Sequence, residues 1–220
     1  MRPRLFIPII DNGMGLSRTS WALSLAVACL TTLRDYSATI QSISYPYPDG
    51  AMNIATATFL ASDCDEMIVI DTDVAFTREH LAMLLSHDEP LVFGLYPKKQ
   101  PGLEFPVVPL ASRPLPFHGD GPALREVERC ARGFMRAKRE VFEKMKSVVG
   151  TYRDAQTQSD EFLFWQNLPG GHSEDFNFCD NWRKLGGKIL VDSRICAQHE
   201  GSALYPIPGT FTNTKQTKAA

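Results

Sequence analysis

No stretch of this chain is apolar for long enough to span a membrane: the run from Trp21 to Leu30 is about half of the roughly 20 residues required. No run of lysine or arginine occurs, and the net charge is only −2, which excludes a general nucleic-acid binder. No Cys-x-x-Cys pair occurs either. The five cysteines are odd in number and scattered, which argues against a zinc site or a disulfide framework and for buried free thiols in a reducing compartment. Arg2 and Arg4 precede only a short apolar run, Leu5 to Ile10, ended by Asp11-Asn12. That run is too short for a secretory signal, so the expected location is cytoplasmic. No internal repeat is visible. What is present is 220 residues with 44% apolar and 22% charged content, the composition of one globular domain with a full core.

The organising stretch is Glu66-Met-Ile-Val-Ile-Asp-Thr-Asp-Val74. Met67 to Ile70 reads as a strand buried on both faces. Asp71 and Asp73 follow at its end, where open α/β sheets place their ligands. Carboxylates at i and i+2 suit a hard divalent cation shared with substrate phosphates, and equally suit capping of a turn. Before this stretch, Leu5–Ile10 reads as a first strand that ends or bulges at Pro8. Helical spacing after a Ser17 cap runs from Trp21 to Leu33, Thr39–Tyr45 reads as a strand, Pro46–Gly50 as a turn, and Met52–Leu60 as a helix. After it, Thr77 caps a helix and Leu91–Tyr96 forms another strand, so the order β-α-β-α-β-α-β implies a parallel sheet.

Pro97 to Pro122 holds seven of the fifteen prolines, and such a stretch suits a binding loop. Lys98 and Lys99, which open it, read as solvated lysines in preference to a phosphate contact. Val127–Ala137 is expected to cross the sheet as a strand, and Lys138–Val149 to form a helix. Arg153–Asp160 is polar and reads as loop. Ser173 caps a last helix with Glu174 and Asp175 in its first turn, Gly186-Gly187 ends it, and short strands lead to His199. From Pro206 the tail is polar.

Taken in order, Asp71-Thr-Asp73, Gly133-Phe134-Met135, Ser173-Glu-Asp175, Phe176-x-Phe178-Cys-Asp-x-Trp182…Gly186-Gly187-Lys188 and His199 resemble a glycosyltransferase of the GT-A fold, over residues 4 to 205. The second half is similar to short transferases of bacteria, phages and large DNA viruses. The resemblance implies one domain over 1–209, with a nucleotide-donor half (4–96), an acceptor half (97–205) and a disordered tail (210–220). It implies a Rossmann-like mixed α/β sheet flanked by helices. It implies transfer of a sugar from a nucleotide-diphosphate sugar, UDP-sugar first, to a carbohydrate or glycan hydroxyl. Asp73 and His199 would hold the metal, Asp71 would reach the metal or the donor ribose, and the imidazole favours Mn2+ over Mg2+. Pro8, Ile10 and Asp11 would line the nucleobase. Asn53 stands where relatives carry an Arg-Asn pair, with Met52 in place of the arginine. Asp175, with Glu174 second, would be the base of an inverting transfer.

Two other classes compete. A haloacid-dehalogenase-type phosphatase would use Asp71 as nucleophile and Asp73 as acid/base. Its signature normally ends the first strand, Ala75 stands where Thr or Val is expected, and Glu174-Asp175 opens a helix instead of following a strand. A non-catalytic sugar- or nucleotide-binding module would use the same residues without chemistry.

Overall fold

The computed structural model describes residues 2–11, 19–100, 103–111, 124–154, 158–170, 172–201 and 204–205. The Ser17 cap and the tail from Pro206 lie outside the described residues. In chain order the first half contains β1 (Arg4–Asp11), α1 (Thr19–Leu30), β2 (Ser37–Ser44), α2 (Pro48–Ala61), β3 (Glu66–Ile70), β4 (Val74–Ala75), α3 (Arg78–Leu85) and β5 (Leu91–Leu95). The second contains β6 (Val107–Pro109), β7 (Leu124–Cys130), β8 (Phe134–Lys138), α4 (Arg139–Met145), β9 (Gly150–Arg153), β10 (Asp160–Leu163), α5 (Glu174–Lys184), β11 (Ile189–Cys196), β12 (Gln198–Glu200) and β13 (Leu204–Tyr205).

Eight strands form one sheet in the order β2-β1-β3-β8-β5-β11-β7-β6. Residues of α2, α4 and α5 pack on one face and residues of α1 and α3 on the other. The architecture is therefore α/β with a mixed central sheet flanked by helices, as the sequence indicates. All residues of β3 and β5 are buried, as continuous apolar runs require when both faces are covered.

The parallel order inferred for the first half holds for β2-β1-β3 and fails beyond it. The antiparallel strand β8 inserts between β3 and β5, pairing Ile70 with Phe134 on one side and Phe93 with Met135 on the other. The expected strand Val127–Ala137 is thus two, β7 and β8, broken at Ala131–Gly133. Arg153 and Asp160, expected in loop, face each other across the β9–β10 hairpin. The turn expected to reach Gly50 ends sooner, because Pro48 starts α2 with its preset φ and its absent N–H. β1 runs through Pro8 without a break. Its pairing with β3 stops at Phe6, so only the ladder to β2 continues past the proline.

Helix starts follow the expected caps. Thr77 accepts from His80 N at 3.2 Å while His80 Nδ1 accepts from Thr77 N at 3.3 Å, a reciprocal box. Ser173 accepts from Phe176 N at 3.4 Å. α5 buries Phe178 and Trp182, and Phe178 stacks on Trp165 with ring centroids 4.1 Å apart. Gly187 lies against the Trp182 indole, where even a Cβ would meet the ring at 2.1 Å. The aromatic cluster Phe162, Phe164, Trp165 is core packing, with Phe164 and Trp165 fully buried.

Candidate active site

β3 delivers Asp71 and Asp73 to the edge of the sheet. Asp71 N donates to Gly133 O and Val74 N to Asp71 O, both at 2.9 Å, so the chain turns sharply at once. The turn is small enough for β4 to pair antiparallel with β12, which sets His199 opposite Val74, next to Asp73. Glu200 N closes the pairing on Asp73 O at 2.7 Å.

His199 Nδ1 lies 2.8 Å from Pro97 O. A carbonyl only accepts, so Nδ1 carries a proton, and Nε2 is the atom that faces Asp73 Oδ1 at 3.3 Å. A neutral imidazole in that tautomer would present a lone pair to a carboxylate. A cation placed between the two would be bound by both. Lys99 supplies a positive charge, its ammonium bonded to Asp73 Oδ2. Lys99 is thus not the solvated lysine the sequence suggests, whereas Lys98 pairs outward with Glu104 at 3.1 Å. Burial would raise the Asp73 carboxyl, but the contacts with His199 and Lys99 outweigh it and hold it at about 2.

Asp71 turns the other way. Its Oδ1 bonds the guanidinium of Arg132, a side chain only 7% exposed. The same guanidinium lies 3.3 Å from Asp175 Oδ1 and 3.7 Å from Glu174 Oε1. Three carboxylates share one positive charge, so the cluster is electron-rich. Burial pushes the Asp175 carboxyl up to about 7, with Glu174 and Asp71 adding to the rise and Arg132 opposing it. Asp175 Oδ1 and Arg132 Nε are both inaccessible and make no hydrogen bond despite their proximity. A carboxyl near neutrality with an oxygen not engaged in any hydrogen bond has the properties of a general base.

Gly133 holds the two halves together. A Cβ there would lie 2.6 Å from the Tyr96 hydroxyl and 2.8 Å from Asp71 Oδ2. Gly133 N donates to that hydroxyl at 3.1 Å, and the Tyr96 ring stands edge-on to His199, 5.1 Å between centroids. Burial, then the charges of Asp71 and Asp175, keep the buried Tyr96 phenol well above its usual range and hence neutral.

The remaining expected residues are placed differently. Asp11 ends β1 and accepts from Ser44 Oγ at 2.9 Å and Ser42 Oγ at 3.4 Å, which ties it to β2. Ile10 packs against the core and Pro8 pairs with Gln41. Asn53 is buried with both ends of its amide on one residue: Nδ2 donates to Trp165 O at 2.7 Å, and Oδ1 accepts from Trp165 N at 3.0 Å. It splices α2 to the segment before α5. Arg132, Tyr96 and Gly133 carry the geometry and were not singled out as site residues. A lone arginine between two strands has no local signature, because its three partners lie on β3's end and α5's start.

Among the described residues no three His, Cys, Asp or Glu side chains are placed to hold one metal ion, so Asp71, Asp73 and His199 do not form a three-ligand set. Asp73 and His199 alone do face each other, and the Pro97 carbonyl orients the imidazole as carbonyl partners orient metal-ligating histidines. One carboxylate with one imidazole suits an ion that takes its remaining ligands from substrate phosphates and water.

Among solved structures the chain is similar to A197 from STIV, with a TM-score of 0.56 and 20% identity over 90% of this chain and 86% of that one. It is also similar to GalNAc-T7, solved with UDP, GalNAc and Mn2+, with a TM-score of 0.53 and 14% identity over 94% of this chain. The chain has the GT-A fold. It spans 45% of the GalNAc-T7 chain, and at these identities the GT-A likeness is one of fold. No family model matches the sequence, and no curated protein matches it. Among the described residues no helix is long and apolar enough to cross a membrane.

Proposed function

We propose that this protein is a metal-dependent glycosyltransferase that moves a sugar from a nucleotide-diphosphate donor, UDP-sugar first, to an acceptor hydroxyl with inversion. The observation that carries the reading is the two-part edge of the GT-A sheet. The Asp73–His199 pair stands on one side, and Asp175, unbonded at Oδ1 and near neutrality, stands on the other, with Arg132 and Gly133 between.

Asp73 and His199 would hold the ion, Mn2+ by preference for the imidazole, with the donor diphosphate completing its shell. When bound, the ion supplies Lewis-acid stabilisation of the charge on the departing nucleotide. Lys99, whose ammonium is bonded to Asp73, would be close enough to the bound diphosphate to neutralise part of its charge. The Asp175 carboxylate, whose side chain keeps 17% of its surface exposed, takes the proton of the acceptor hydroxyl as that oxygen attacks the anomeric carbon. Arg132 keeps Glu174 and Asp71 from driving the base fully protonated. Pro8, Ile10 and Asp11, at the end of β1, would border the nucleobase. Asn53 acts behind that contact by fixing Trp165.

The test is nucleotide release from UDP-, GDP- and dTDP-sugars, with Mn2+ and with EDTA. Metal-dependent release from one donor is the expected result. No release, together with no metal-dependent donor binding by calorimetry, sinks the reading, and phosphate release from simple esters would replace it with the phosphatase.

A further inference from the structure

A concavity lies between the first turn of α2 and the β9–β10 hairpin. It is a cleft of about 430 Å³, within the roughly 300–1,000 Å³ typical of small-molecule sites. Tyr45, Tyr47 and Tyr152 wall it, and Asp49, Asp154 and Asn167 give it polar edges. Tyr47 is 66% exposed and Tyr45 is 38% exposed, a large aromatic area that folding alone does not account for.

The rings are built into place. Gly50 has no Cβ, and one would lie 2.3 Å from the Tyr45 ring, so the ring rests directly on the start of α2. Tyr47 meets Tyr45 edge to face at 6.3 Å, and Pro48 fixes the backbone beside it. Tyr152 faces them from the hairpin; burial first, then the charges of Asp154 and Glu161 and the proximity of Tyr45, raise its phenol.

Two carboxylates and no lysine, arginine or histidine line the cleft among the described residues, which disfavours a phosphate and separates this site from the donor's diphosphate. A pyranose matches what remains: an apolar C–H face for a tyrosine ring and vicinal hydroxyls for carboxylate and amide oxygens. The cleft also connects to the chemistry. Asn167 Oδ1 accepts from the N–H of Glu174, the first residue of α5, at 3.2 Å.

We propose that this cleft binds a neutral saccharide, which is the acceptor of the transfer; the second half of that statement rests on the glycosyltransferase reading. The test begins without nucleotide, by probing wild type and Tyr47→Ala on a glycan array and titrating the bound glycan by calorimetry. Tyr47 is exposed, so its truncation leaves the fold intact, and Tyr152→Ala serves as an independent second variant. At least tenfold weaker glycan binding is expected in each. In the transfer assay Tyr47→Ala raises the acceptor KM at least tenfold, with the donor KM within twofold of wild type. No glycan bound by wild type, equal binding by both variants, or a rise in the donor KM instead overturns the proposal. Glycan binding that Tyr47→Ala abolishes, with no donor turned over by wild type, refutes the transferase reading while the saccharide site stands.

Discussion

Replacing Arg132 with methionine isolates the electrostatics of the site, because it removes the one charge that three carboxylates share. At 3.3 Å from Asp175 and an effective dielectric of about 20, the lost attraction is about 5 kcal/mol at most, an upper bound of nearly 4 pKa units. The Asp175 carboxyl, at about 7 in the native protein, would then titrate near ~10. A carboxyl whose folded pKa lies above its unfolded value stabilises the fold below the unfolded pKa, and that stabilisation is lost as pH rises through the folded pKa. In wild type the loss runs from about pH 4 to 7. In Arg132→Met it continues to about pH 10, so the variant's deficit grows across the interval from 7 to 10. Urea unfolding at pH 6 and pH 9 measures it, and the deficit should be about 3 kcal/mol larger at pH 9. Carbon-13 shifts of the Asp175 carboxyl report the same displacement directly. A deficit equal at both pH values would refute the three-carboxylate description of the site.

Asp175→Asn should lower transfer by about 10²–10⁴-fold and abolish the rise in kcat expected as pH climbs through about 7. It should also be more stable than wild type at pH 8 in urea unfolding, since the buried amide carries no charge to desolvate. His199→Ala should weaken Mn2+-dependent donor binding at least tenfold by calorimetry, with little change in binding measured in EDTA. Gly133→Ala forces the Tyr96 hydroxyl and Asp71 apart and should cost about 1–3 kcal/mol in thermal unfolding, with a lowered kcat. Phe178→Ala, which empties the stack on Trp165, should cost about 3–5 kcal/mol and leave the donor KM unchanged in whatever protein folds.

The fold is legible in the sequence wherever local pattern decides it. Met67–Ile70 is apolar at every position, Thr77 and Ser173 are cap residues before periodic runs, and Gly186-Gly187 stops α5 where the Trp182 ring needs room. Pairing is less legible, because β8 is chosen by partners on both sides: Glu66–Ile70 and Leu91–Phe93. The same divide runs through the site. Asp71, Asp73, Asp175 and His199 stand in motifs, whereas Arg132 acquires its role only when strand ends and a helix start meet around it. Asn53 shows the limit from the other side. A residue that looks ligand-facing by its position is occupied by a backbone 112 residues away.

The insertion of β8 also governs how this protein comes into being. β3 and β5 are buried along their whole length, and the neighbour they share is Phe134–Lys138, synthesised some 40 residues after β5 is complete. Until then a nascent chain carries two apolar strands with an unmatched edge apiece, the state most prone to pairing with another chain. Residues 4–96 are therefore not a self-sufficient folding unit, and a chain stopped at residue 96 should aggregate. The loop that precedes β8 is Arg132-Gly133, so the insertion that joins β3 to β5 also sets the Arg132 guanidinium on Asp71, and Asp175 joins them only once α5 is made. In refolding, the pairing of β8 with β3 and the contact of Arg132 with Asp71 should appear in a single kinetic phase.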